Sequence, residues 1–312
     1  MKDALATVLK GAAMGAANVV PGVSGGTIAF ITGIYERLIE ALKSFDVAAA
    51  KLLFRGKLGD FWKKIDGWFL AQLGIGVVGS IATLAKAIEW GFEHHPVIVW
   101  SLFFGLIAAS IPALVKMVKE WTIGPIVGGL AGLTVAVAMA FIPPAAENTN
   151  VFYLVICGVA AMCSMIIPGL SGSFVLLLLG NYMLVLGSVS GLVAGDVAAA
   201  LEIIIPVGIG AVAGLLVLSR LLSWLFRRHH DTAVSAITGF VVGSLVIIWP
   251  WKTTETIMVE KKGVLEPKIV GFSDWRLPDF ASGQVWAELG ALVIGVVLIL
   301  LVDRLDQKRD IV

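Results

Sequence analysis

The sequence predicts an all-α polytopic membrane protein built from two inverted-topology repeats, each a re-entrant helical hairpin followed by three transmembrane helices. Three observations carry this prediction. Of the 312 residues, 58% are hydrophobic and only 14% charged, and the mean hydropathy is +0.95. A Pro-Gly-x-Ser-Gly segment occurs twice, each time in matching surroundings. The basic residues are concentrated in alternate loops.

Composition sets the class. A water-soluble fold of this size exposes too much surface to hide such an apolar fraction. Several runs reach about 18 residues with few charges, enough to cross a hydrocarbon core about 30 Å thick. Gly is frequent at 35 residues, many inside apolar runs such as Gly124 to Gly132, and small residues let membrane helices approach closely. The alternating strands of a barrel are absent. A net charge of +1 points to no nucleic-acid partner. Cys157 and Cys163 share one apolar run and read as reduced, structural residues. No cleavable signal-peptide pattern is expected at the N-terminus.

The repeat sets the order of elements. At one constant offset, Gly11, Pro21, Gly22, Ser24, Gly25, Gly33 and Tyr35 meet Gly158, Pro168, Gly169, Ser171, Gly172, Gly180 and Tyr182. At a second, shorter offset, Gly74, Gly76, Trp90, His95 and Gly105 meet Gly208, Gly210, Trp224, His229 and Gly239. The first copy therefore carries an insert between these blocks, in the basic stretch from Lys43 to Lys64. We divide the chain into a first repeat, 1–145 with its tip at 18–27, and a second, 146–312 with its tip at 164–173.

Each copy opens with two apolar arms around its tip, about 4–20 and 27–42, then 151–167 and 174–190. Pro followed by Gly breaks a helix, so each tip reads as a re-entrant hairpin. Such backbone survives at membrane depth only when buried in protein or lining a wet cavity. Three spans follow in each copy, roughly 67–90, 97–115 and 122–142, then 200–224, 232–250 and 285–302. With both termini cytoplasmic, seventeen basic residues fall on that side, from Lys2 and Arg37 to Arg228 and Arg309. Five lie outside, at Lys252, Lys261, Lys262, Lys268 and Arg276, in or beside one loop at 252–283. That is the positive-inside bias. An odd number of spans per copy inverts the second relative to the first. Reading both hairpins as full two-span pairs gives the same loop sidedness, so charge alone leaves re-entrance open.

The tips are the candidate site. In Asn18-Val-Val-Pro-Gly-Val-Ser-Gly-Gly-Thr27 and Ser164-Met-Ile-Ile-Pro-Gly-Leu-Ser-Gly-Ser173, a Ser stands where the outgoing half-helix begins. Its hydroxyl can cap that helix, and the glycines leave backbone N–H groups open to an anion. The candidate substrate-binding residues are Asn18, Pro21, Gly22, Ser24, Gly25, Gly26 and Thr27, with Pro168, Gly169, Ser171, Gly172 and Ser173. The plainer alternative is that these residues only permit tight hairpin packing. Two opposed copies favour a site of the kind inverted-repeat transporters build at mid-depth.

Arg37 either engages an anionic head group or snorkels to the interface. Lys86 and Arg220 are repeat-equivalent, and with Tyr35 and Tyr182 form a possible outer shell; both cations lie near span ends, where snorkelling is the alternative. Glu89 can pair with Lys86. His94, His95, His229 and His230 fall in two loops on opposite sides, which excludes one metal site. No catalytic residue, metal or cofactor is expected, because no H-E-x-x-H, Walker or G-x-S-x-G pattern occurs. Any active transport would then draw on a gradient, with a proton or sodium as a possible coupling ion.

These residues resemble a known family. Asn18-Val-Val-Pro-Gly-Val-Ser-Gly-Gly-Thr-Ile-Ala, Gly33-Ile-Tyr-Glu-Arg-Leu and Ile167-Pro-Gly-Leu-Ser-Gly-Ser are similar to the bacterial polyprenyl-phosphate transporters, and the resemblance runs along nearly the whole chain. It implies a translocase of the cytoplasmic (inner) membrane. Such a protein returns undecaprenyl phosphate to the cytoplasmic leaflet, where peptidoglycan and other envelope sugars reuse it as carrier. The substrate comes from the resemblance and the anion site from the residues. An anion channel or exchanger using the same paired tips is the competing expectation.

Overall fold

The computed structural model describes residues 2–19, 24–194, 197–261 and 264–307. Pro21 and Gly22 of the first tip, with Lys262, Lys308 and Arg309, lie outside them. Helix α1 (Lys2–Val19) leads to the first tip, and the seven-residue α2 (Gly25–Ile31) leaves it. Gly33 then takes φ +70°, and its N–H and that of Ile34 bond back to Phe30 and Ala29. This left-handed glycine cap ends the helix, and α3 (Tyr35–Lys43) sets off from it.

The second copy repeats the device. Helix α9 (Val151–Ile166) precedes the tip, and α10 (Gly172–Leu178) follows it. Gly180, at φ +74°, ends α10 with N–H bonds from Gly180 and Asn181 to Leu177 and Leu176. Helix α11 (Tyr182–Ala194) continues after a bend of 119°. Each outgoing arm, expected as one segment, is thus two helices broken at a glycine. The glycines were visible as repeat identities, but the left-handed cap they form was not.

The insert in the first copy folds into two short helices, α4 (Val47–Phe54) and α5 (Leu58–Lys64). Asp46 caps α4 by accepting from the Ala49 N–H. The long helices fall where the apolar runs place them: α6 (Gly67–His94), α7 (Pro96–Lys116), α8 (Ile123–Ala140), α12 (Val197–Arg228), α13 (His230–Ser244) and α14 (Val285–Gln307). Among the described residues three helices are long and apolar enough to cross a membrane, or up to five if each of two bent pairs counts as one span. Helix α13 stops six residues before Pro250. The N–H groups of Leu245 to Ile247 reach back only three residues, tightening the end.

The expectation of an all-α chain is corrected in the loop at 252–283. There β1 (Thr253–Lys261) pairs antiparallel with β2 (Val264–Ser273), with a register shift at Glu255/Thr256. The local sequence explains it. Thr253, Thr254, Thr256, Ile257 and Val259 are β-branched and suit a pleated strand.

Packing follows four partnerships: α1 along α6, α9 along α12, α7 along α14, and α8 along α13. Glycines bring the backbones together. A Cβ on Gly11 would stand 2.2 Å from the Leu73 carbonyl oxygen, and on Gly158, 2.0 Å from that of Val207. A Cβ on Gly76 or Gly210 would stand 2.0 Å from the carbonyl of Val8 or Val155. Gly74 and Gly208 meet nothing within 4 Å, and both face open space. The α6–α7 and α12–α13 junctions match as well, with His95 at φ −140°, ψ 54° and His229 at φ −140°, ψ 53°.

The core gathers Phe30, Tyr35, Ile39, Phe69, Trp100, Ile107 and Leu114. Outward faces are apolar too. Ile126, Val127 and Leu130 on α8, Ile205, Ile209 and Val212 on α12, and Val293 and Ile294 on α14 are all exposed. Apolar surface on that scale suits lipid, not water.

Candidate functional site

Helix α2 packs against α9, and the two tips meet there. Ser24, in extended backbone, caps α2: its Oγ accepts from the Gly26 N–H at 3.1 Å. Asn18, near the end of α1, accepts from the Gly25 N–H at 2.7 Å. The Thr27 N–H donates to the Ser24 carbonyl at 2.9 Å. The capping role expected for Ser24 is therefore present. The open donors expected beside it are not, because the first-turn N–H groups of α2 are taken up by Asn18 and Ser24.

The same residues reach across to the second tip. The Ser24 hydroxyl donates to the Met165 carbonyl at 3.2 Å, and the Gly169 N–H donates to Thr27 Oγ1 at 2.6 Å. Gly169 sits at φ +89°, a backbone that favours glycine. A Cβ on Gly26 would stand 2.7 Å from the Ile166 carbonyl oxygen. Ser24 is 2% exposed and Thr27 fully buried. Met165 and Ile166 were not singled out from the sequence, and no side-chain signal points to them because they act through carbonyls.

The second tip is built differently. Pro168, Gly169 and Gly172 are buried, while Ser171 is partly accessible and Ser173 exposed. Ser171 makes no cap bond. Its Oγ lies 2.8 Å from that of Ser173. Among the described residues no acceptor meets the N–H of Gly172 or Ser173. Beside Gly172 there is no vacant space, since a Cβ there would stand 2.6 Å from Met165 Cγ. Among the described residues, free hydroxyl and N–H capacity thus sits on the α10 side.

Arg37 is brought elsewhere. Its guanidinium makes a two-point pair with Asp66 at 2.7 and 3.1 Å and lies 4.3 Å above the Phe69 ring. Asp66 opens α6 at φ 51°. It was missed because the insert separates it from Arg37 in sequence. Other charges on α3 tie it to the second half. Glu40 accepts from the Ser223 hydroxyl and pairs with Lys43 and Arg227, while Glu36 meets His230 at 3.2 Å. Arg220 donates to the Leu216 carbonyl of its own helix at 2.9 Å and is not at the tips. Tyr35 packs edge-on against Phe30 and Phe226, and its hydroxyl meets no acceptor among the described residues. Tyr182 opens α11. The side chains of Lys86 and Glu89 lie outside the described residues.

One buried cation escaped sequence analysis. Lys252, at the start of the β1–β2 hairpin, is 7% exposed. Its Nζ donates to the Trp249 carbonyl at 2.7 Å and stands 3.7 Å from the Trp100 ring and 4.6 Å from the Phe272 ring. Burial pushes its pKa down to about 6. Elsewhere on this face, Glu288 accepts from Trp251 Nε1 at 2.7 Å and Arg276 pairs with Asp274 at 4.0 Å. Phe272 also stacks on Phe174 of α10, centroids 6.4 Å apart, so the cage adjoins the second tip.

Apolar-faced helices interrupted by two mutually bonded tips define a helical membrane protein, and its relatives make the class a transporter. The sequence profile described as undecaprenyl phosphate translocase-like matches residues 14–265, and the chain belongs to that family. A Vibrio cholerae protein named polyprenyl-phosphate transporter is 41% identical over 307 residues, covering 98% of this chain and 97% of its own. A Staphylococcus aureus protein of the same name is 29% identical over 263 residues, covering 80% of this chain and 88% of its own. No solved structure matches.

Proposed function

We propose that this chain carries undecaprenyl phosphate from the outer to the cytoplasmic leaflet of the bacterial inner membrane, by alternating access between two inverted repeats. The names of its relatives and the family's description support the substrate. The observation that carries the mechanism is the meeting of the tips, through Gly169 to Thr27 and Ser24 to Met165. An unpaired phosphate in hydrocarbon costs several kcal/mol or more. Ser171, Ser173 and the N–H groups around Gly172 replace lost hydration, while the prenyl tail stays in lipid. Ser24, Gly26 and Thr27 hold the second tip in place from the other repeat, and Asn18 fixes the start of α2 through the Gly25 N–H. Rocking of one repeat against the other then exposes the phosphate to each leaflet in turn.

Matched glycine contacts, matched His95 and His229 backbones and equivalent helix partners support the duplication. Seven-residue α2 and α10 are about 10 Å long, too short to span, which supports re-entrance. In the inverted arrangement, cysteines placed at Lys57 and Arg228 label only from the cytoplasm and one at Lys261 only from outside. Labelling of position 228 from outside would sink it.

The site itself is tested by the double substitution Ser171→Ala, Ser173→Ala. Among the described residues neither hydroxyl bonds another element, so expression and thermal stability should match the parent. Loss of one to two hydrogen bonds to a charged phosphate should cut transport about 10-fold or more. Parent-level transport would remove these hydroxyls from the site.

A further inference from the structure

We propose that Lys252 is a phosphomonoester-binding residue beside the second tip, covered at rest by Trp100 of α7 and Phe272 of β2. The inference rests on the transport reading and adds to it the cation that meets the substrate on the hairpin side.

The geometry argues for a ligand. An ammonium group carries three donors, and among the described residues only one meets an acceptor, the Trp249 carbonyl. The two ring faces of Trp100 and Phe272 offset part of the lost hydration. Among the described residues no carboxylate pairs with Lys252. A methionine would fill the same cage without burying an ionisable amine, whose charge burial disfavours. Keeping a lysine there makes sense if an anion arrives. Burial already pushes the group down to about 6, and an incoming anion would favour its charged form.

Position selects the phosphate for that anion. Phe272 covers Lys252 on one side and stacks on Phe174 on the other. Phe174 directly follows Ser173, whose hydroxyl is exposed beside that of Ser171. Turning Phe272 aside, by movement of the β1–β2 hairpin, opens the cage towards the tip. The hairpin thereby acquires a role as the cover of the cation.

The test uses the full chain in detergent, with geranylgeranyl phosphate as the probe. Geranylgeraniol serves as the uncharged control and inorganic phosphate as competitor. Lys252→Met is expected to weaken binding of the phosphate probe at least tenfold. Geranylgeraniol binding should be unchanged, and the variant's thermal midpoint equal to or above that of the parent. Competition by millimolar inorganic phosphate assigns the residue to free phosphate; failure to compete assigns it to the lipid headgroup. Parent-like binding of the phosphate probe by Lys252→Met overturns the proposal and leaves the transport reading standing. A parent that binds no phosphate probe overturns both. If the variant fails to fold, acylation of Lys252 in the parent decides. Saturating probe must slow it relative to Lys261, and equal rates with and without probe overturn the proposal.

Discussion

Gly158→Ala should leave little folded protein, whereas Gly208→Ala should fold at least as well as the parent. Both glycines lie in apolar helices, and sequence alone does not rank them. The structure does. A Cβ at Gly158 lands 2.0 Å from the Val207 carbonyl oxygen, with further atoms of Val207 and Ala211 within 3 Å. All are backbone of α12, so no rotamer change relieves the clash. Helices α9 and α12 must separate along one of the main packing seams. Overpacking a core costs about 1–3 kcal/mol when side chains can shift, and here they are not what blocks the way. At Gly208 nothing lies within 4 Å, so Ala keeps the fold and gains about 0.5–1 kcal/mol of helix preference. Gly76→Ala and Gly74→Ala should reproduce the contrast in the first half. Monodisperse yield in detergent and thermal midpoint are the readouts. Equal behaviour of the Gly158 and Gly208 variants would refute the close approach of α9 and α12.

Thr27→Val should lower both stability and transport, although the two side chains are nearly the same size. Thr27 is fully buried, and its Oγ1 accepts the Gly169 N–H across the tip contact. Valine leaves that donor buried without a partner, at about 1–3 kcal/mol. It also removes one of the two hydrogen bonds that join the tips, the contact on which the proposed mechanism rests. Ser171→Ala removes a hydroxyl of like polarity from an accessible position and should leave the thermal midpoint unchanged. Thermal midpoints read beside leaflet-resolved transport separate the two effects. A Thr27→Val protein with parental stability and flux would mean that the tips do not depend on each other.

Much of the fold was legible because membrane insertion imposes long apolar runs. Each predicted span from 67–90 to 285–302 overlaps one helix, and the Ser24 cap lies where the motif places it. What escaped notice depends on contacts between distant segments or on backbone atoms. Arg37 reads as a free cation until Asp66 arrives from beyond the insert. The Gly25 N–H of the first tip reads as open until Asn18 folds back on it. The β1–β2 hairpin was within reach of the sequence, since Thr253 to Lys261 is rich in β-branched residues, but the surrounding helices made an all-α class the simpler expectation. Lys252 was counted only as an outside charge. Its burial depends on Trp100 and Phe272, which no local pattern joins to it.

The central claim is that this protein moves a polyprenyl phosphate between leaflets. The most direct measurement reconstitutes the full chain into vesicles loaded with undecaprenyl phosphate and follows the outer-leaflet fraction with a membrane-impermeant phosphatase. Undecaprenol in parallel vesicles is scored by a leaflet-selective probe. The account predicts that the protein makes the inner-leaflet pool of the phosphate accessible at a rate empty vesicles do not reach. It also predicts that the Ser171→Ala, Ser173→Ala variant slows this exchange and that undecaprenol redistribution is unaffected. An inner-leaflet phosphate pool as protected in the presence of folded protein as in its absence would contradict it.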